Sequence, residues 1–211
     1  MNRTVKICFL SAALTTLALP VVAQSNTPTS PDPSKTPTPI TGKSIQQRKE
    51  NQQDRIAQGV KSGELTAGET TNLEKKEASI NQEERDMRKL DNGKLTATDR
   101  KTLNQQQNQL NKQIYQDKHN GAVQNTNDQS KVGQREENQQ DRIAQGIKSG
   151  QLSAGEAARL ESQQAKISQQ VRADRQANGG KLTQQERNQV NREQNRQSRQ
   201  IYRDKHNNRH Q

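Results

Sequence analysis

The chain repeats itself. Arg48 to Asn120 aligns without a gap on Arg135 to Asn207 at an offset of 87 residues, with 40 identities in 73 positions. ENQQDRIAQG at 50–59 returns at 137–146, and DKHN at 117–120 returns at 204–207. Only duplication accounts for identity at that level, so the chain holds two copies of one unit.

A smaller element recurs inside each copy. The pattern Gly-x-Leu-Thr/Ser-x-x-acid occurs at Gly63–Glu69, Gly93–Asp99, Gly150–Glu156 and Gly180–Glu186. Glycine closes a helix by accepting a left-handed backbone. Thr66, Thr96, Ser153 and Thr183 then cap the next helix, and the acid three residues on completes a capping box. The spacing predicts three helices per copy, near 44–61, 66–91 and 96–118, then near 131–148, 153–177 and 183–205. Apolar residues follow helical period: Ile56 and Val60; Leu73, Ile80 and Met87; Leu103, Leu110 and Ile114. Copy two has Ile143 and Ile147, Leu160 and Ile167, then Val190 and Ile201. The stripes are thin, with Glu77, Glu84 and Gln107 at intervening core-type positions. The expected fold is all-α: two tandem three-helix repeats, built as loosely packed helical hairpins, after a disordered linker.

The first residues read as an address. Arg3 and Lys6 precede an uncharged apolar stretch, Ile7 to Val22, and Val21-Val22-Ala23 supplies small residues at a peptidase site. The pattern predicts a signal peptide over 1–23, cleaved after Ala23, and an exported product in the periplasm or outside the cell. Cys8 lies within that segment, so the mature chain should have no thiol chemistry and no disulfide. No later apolar run has the length of a membrane span. Residues 24–44 carry Pro28, Pro31, Pro33, Pro37 and Pro39 among Thr and Ser, which predicts an extended linker. The expected organisation is then repeat 1 over 45–120, a joint over 121–133, repeat 2 over 134–207 and a tail over 208–211.

Several chemistries lack their residues. The Gly-x-Leu-Thr-x-x-acid element resembles the second half of an EF-hand loop, where Leu65 and Leu95 would pack two loops together. Calcium, however, needs oxygen ligands at the first, third and fifth loop positions. Those positions hold Gln58, Val60 and Ser62 in the first loop and Arg88, Leu90 and Asn92 in the second. The third has Gln145, Ile147 and Ser149, and the fourth Arg175, Ala177 and Gly179. His206 and His210 share a helix face at i, i+4, yet no acid or thiol completes a metal site and Lys205 and Arg209 oppose a cation. No nucleophile-and-base set, glycine-rich phosphate loop or metal helix is present, so no catalytic residue, metal or cofactor is expected. Nucleic acid is disfavoured because Tyr115 and Tyr202 are the only aromatics after the apolar segment.

Charge distinguishes the copies. Copy one, 48–120, has 14 basic and 12 acidic residues; copy two, 135–207, has 14 and 9. The excess gathers in the last helix, where Arg192, Arg196, Arg199 and Arg203 follow helical spacing on one face. Their counterparts are Gln105, Gln109, Lys112 and Gln116. Guanidinium groups suit phosphate and carboxylate, so these four form the expected anion-binding residues.

The repeat also resembles that of a family of exported bacterial helical-repeat proteins. They share N-Q-Q-x-R-I-x-x-G-x-x-S-G-x-L-T/S-x-x-E and an I-Y-x-D-K-H-N ending. Here these are Asn51 to Glu69 and Ile114 to Asn120, then Asn138 to Glu156 and Ile201 to Asn207. The resemblance covers both copies and implies export and helicity, with no functional residue to carry over. The resulting expectation is a non-enzymatic exported protein, an interaction module for an anionic envelope lipid or polymer. Its rival is a structural or stress-protective hydrophilic protein with no specific ligand.

Overall fold

Five of the six helices begin at a residue whose side chain caps them. A computed structural model describes residues 42–124 and 129–208. The expected signal peptide with its site after Ala23, nearly all of the expected linker, and His210 lie outside the described residues. Six helices make up the structure: α1 (Gly42–Ser62), α2 (Ala67–Leu90), α3 (Ala97–Lys118), α4 (Lys131–Lys148), α5 (Ala154–Ala177) and α6 (Gln184–Lys205). No strand occurs among the described residues.

Thr66, Thr96, Ser153 and Thr183 are N-caps, each in a complete capping box with Glu69, Asp99, Glu156 and Glu186. Thr66 shows the geometry. Its Oγ1 accepts from the Glu69 N–H at 3.3 Å, while its own N–H donates to Glu69 Oε2 at 2.9 Å. Two of the donors that a helix start leaves unpaired are met at once. Gly63 and Gly150 take φ of +74° and +69°, the left-handed turn that lets the chain reverse into the leucine.

That leucine explains a second glycine in the repeated motif. Leu65 folds back onto α1, its N–H donating to Gly59 O at 3.0 Å, and Leu152 does the same on Gly146. A Cβ at Gly59 or Gly146 would stand 2.7 Å from the leucine Cγ. Leu65 and Leu95 both belong to the main core.

The copies pack on each other, and they do so through equivalent helices. The most extensive packing is α2 against α5, followed by α1 against α4; within each copy, the third helix lies on the first two. Equivalent helices meeting in pairs is the signature of an isologous, two-fold-like interface, here within one chain. All described residues accordingly fall in one compact unit, Pro39–Gln211. Ile56, Leu73 and Leu103 share a single buried apolar cluster with Ile143, Leu160 and Ile201. A stripe too thin to fill one copy fills the space between two. A smaller cluster, with Val132, Ile167 and Val190 at its centre, belongs to copy two alone.

The polar gaps in the stripes are occupied by glutamines that bond across helices. Gln52 Nε2 donates to Gln107 O at 2.8 Å, and Gln107 Nε2 donates to Ile45 O at 3.1 Å. In copy two, Gln139 reaches Gln194 O at 2.7 Å and Gln194 reaches Val132 O at 2.9 Å. All four side chains are buried. Glutamine here does the joining that leucine does in an apolar bundle: each Nε2 meets a backbone carbonyl of another helix, while the Oε1 of each stays buried without a partner, a cost that the packing around it offsets.

Candidate anion-binding groove

The arginine stripe follows from what α6 buries. Val190, Gln194, Gln197, Ile201 and Asp204 face inward, and at 100° per residue Arg192, Arg196, Arg199 and Arg203 fall on the far side. All four are exposed. Arg196, Arg199 and Arg203 form one bank of a groove of about 590 Å³ between α5 and α6; Arg192 continues the stripe beyond it. Lys166 of α5 lines the groove as well, so cations approach from two helices.

None of Lys166, Arg192, Arg196, Arg199 and Arg203 forms an ion pair among the described residues. Glu193 is the one acid lining the groove, and it accepts from Gln189 at 3.3 Å. Asp204, at the end of the stripe, points inward and is taken by Arg159 at 2.7 Å. Arg203 is steadied by Gln200 Oε1 at 2.5 Å.

The equivalent surface of copy one is built differently. Lys76 of α2 donates to Gln113 of α3 at 2.6 Å, and Gln106 donates to Glu83 at 2.5 Å, so side chains bridge the two helices. Ser79 stands where copy two has Lys166. In copy two Gln200 bonds along α6 to Asp204, as Gln113 does to Asp117, and the helices are joined by Gln197 to Leu160 O and by Arg159 to Asp204. The groove is therefore more cationic than its twin.

Spacing along one helix cannot show Lys166, which lies thirty residues upstream on another element. It marked Glu77 only as a polar residue at a core-type position, and gave no sign of the buried acids Glu74 and Glu161, which lie near one another across α2 and α5. Glu74, Glu77 and Glu161 are each 0% exposed. Gln53 donates to Glu74 at 3.3 Å and Gln140 to Glu161 at 3.0 Å, whereas both Glu77 oxygens lack a hydrogen-bond partner. Burial pushes the Glu161 carboxyl up to about 8, against the Gln140 hydrogen bond, with Glu136 nearby adding to the rise. Burial pushes Glu77 up to about 7, with Lys49 opposing and Glu84 reinforcing. Glu74 is also raised well above the usual range by burial, opposed by its Gln53 bond and reinforced by Glu77 and Glu161. Desolvation disfavours the charged form, so Glu161 is mostly protonated and Glu77 about half protonated at neutral pH, and all three carboxyls gain protons as the pH falls.

The histidines close helices. His119 and His206 are the C-caps of α3 and α6, each stacked on a tyrosine one turn back, Tyr115 and Tyr202, at centroid distances of 4.3 and 4.1 Å. Among the described residues no group of three or more His, Cys, Asp or Glu side chains is arranged to hold a metal ion. No described helix is long and apolar enough to cross a membrane. No family model, curated protein or solved structure matches this chain.

Proposed function

We propose that the chain is a non-enzymatic, exported helical-repeat protein that acts as an interaction module for an anionic envelope lipid or polymer. The α5–α6 groove is its contact surface. The observation that carries this reading is the set of cations without an ion pair, Lys166, Arg196, Arg199 and Arg203, converging on one groove whose twin in copy one has a cation, Lys112, at only one of the four positions. Planar guanidinium groups bind phosphate or carboxylate oxygens in pairs, and a groove lined from two helices suits a linear polyanion or a headgroup. Exposed cations of this kind steer partners at low salt and weaken as ionic strength rises. Export rests on Arg3, Lys6, the apolar stretch to Val22 and the small residues before Gln24, together with the resemblance to exported bacterial repeats. Intact mass of exported material beginning at Gln24 checks that address.

The test of the groove is co-sedimentation of the mature chain with anionic vesicles and, separately, with polyphosphate and a carboxylate polymer. Arg192→Gln, Arg196→Gln and Arg203→Gln with Lys166→Ser restores the copy-one pattern. Binding should fall at least tenfold with helicity unchanged, and the arm that binds names lipid or polymer. Unchanged binding, or none to any probe, sinks the reading in favour of a structural or stress-protective protein.

A further inference from the structure

The α5–α6 groove does not end at α5. Gln163 and Lys166, which line it, also line a second groove, of about 360 Å³, between α5 and α2. α5 packs on both α2 and α6, and these two do not pack on each other. The grooves therefore run on from one another, from α6 over α5 to α2. At the usual interhelical spacing of about 8–10 Å, that course spans roughly 16–20 Å.

The second groove is cationic too. Lys75 of α2 and Arg159 of α5 join Lys166 along it, and no acid lines it. Lys75 is exposed and forms no ion pair among the described residues. Arg159 stays 49% exposed while it holds Asp204 at 2.7 Å. Glu74, beside Lys75 in the chain, and Glu161, beside Ser162, are both wholly buried and leave the surface charge uncancelled. The floor is open, because a Cβ at Gly155 would meet no atom within 4 Å. The repeat-equivalent surface lacks this charge. Asn72 and Ser79 stand at the positions of Arg159 and Lys166, and Lys76, at the position of Gln163, donates to Gln113 of α3.

We propose that Lys75, Arg159, Lys166, Arg196, Arg199 and Arg203 form one track that seats a single linear polyanion with phosphate in its backbone, crossing from copy two onto copy one. The track extends the α5–α6 contact surface and rests on that reading, and it selects a polymer over a lipid headgroup. A headgroup presents its phosphate at one point, and a bilayer presents a flat face. These cations instead line two consecutive grooves, over more length than one phosphate covers. Successive phosphates of one strand meet them in turn, and each contact releases condensed counterions.

The test is calorimetric titration of the full chain with long-chain polyphosphate and with tripolyphosphate over a range of salt. Lys75→Ser, which copies Ser162, should weaken the long polymer roughly fivefold at low salt. It should also make the slope of log K against log salt shallower by about 0.7, the share of one phosphate contact on a single strand. Tripolyphosphate, short enough for the α5–α6 groove alone, should not respond. Gly155→Glu puts an acid on the open floor, in a first helical turn that favours it. It should weaken the long polymer with helicity unchanged. Arg196→Gln with Arg203→Gln should weaken both lengths. If that pair weakens both while Lys75→Ser and Gly155→Glu change neither, the track is overturned and the α5–α6 reading stands. Binding to anionic vesicles but to neither polyphosphate overturns the polymer as occupant. Binding to no probe overturns the α5–α6 reading, and the track with it.

Discussion

Single residues in this chain carry roles that their type alone would not suggest. Gly59 and Gly146 lie inside helices, where alanine is favoured by about 1 kcal/mol. The 2.7 Å approach of a Cβ to Leu65 and Leu152 reverses that preference, since each leucine is fixed in the core. Overpacking of this kind costs about 1–3 kcal/mol. Gly59→Ala and Gly146→Ala should each lower the thermal midpoint, read by circular dichroism, and a rise in either would show that the leucine is free to move. The arginine stripe was legible at this scale because one helix displays it at its own period. Lys166 was not, because its proximity to Arg199 and Arg203 depends on how α5 and α6 pack.

At the scale of elements, the helix boundaries were readable and the chemistry of the seams was not. Four capping boxes announce four helix starts, and the structure places the caps on Thr66, Thr96, Ser153 and Thr183. Gln107 and Glu77 looked like breaks in a stripe. Gln107 proves to be a bond between α3 and α1, and Glu77 a buried acid of α2 near Lys49 of α1. Hydrophobic period registers only that such positions are polar; whether they have partners depends on the neighbouring helix. The acids make stability depend on pH. Folding raises Glu77 and Glu161 from 4.5 to about 7 and about 8, so the folded state retains protons that the unfolded chain has released. Their contribution is fully present below pH 4.5 and is lost as pH rises through about 8, by at most ~1.4 kcal/mol per pH unit for each retained proton. The chain should therefore melt at higher temperature at pH 5 than at pH 8. Glu77→Gln, which copies Gln164 of copy two, together with Glu161→Gln should shrink that difference and leave the share carried by Glu74. An equal midpoint at both pH values in the unaltered chain would show that the seam admits water or a counter-ion.

For the whole molecule, duplication produced a pair and then let its members diverge. The sequence shows two copies; their pairing through α1 with α4 and α2 with α5 follows from apolar surface that neither copy covers alone. Residues 42–124 expressed by themselves should consequently self-associate through α1 and α2, as a dimer that sedimentation would show to be tighter at pH 5 than at pH 8, since Glu74, which lies near its equivalent Glu161 in the whole chain, would then meet its own copy. A stable monomer would mean that each copy completes its own core. Divergence is concentrated on the α5–α6 face, and the most direct measurement of its role is an NMR titration of the chain with polyphosphate at low and high salt. Shifts should gather on Lys166, Arg196, Arg199 and Arg203, leave Ser79, Gln109, Lys112 and Gln116 unmoved, and shrink as salt is added. Equal shifts on both faces, or no shifts at low salt, would contradict an anion-binding role for copy two.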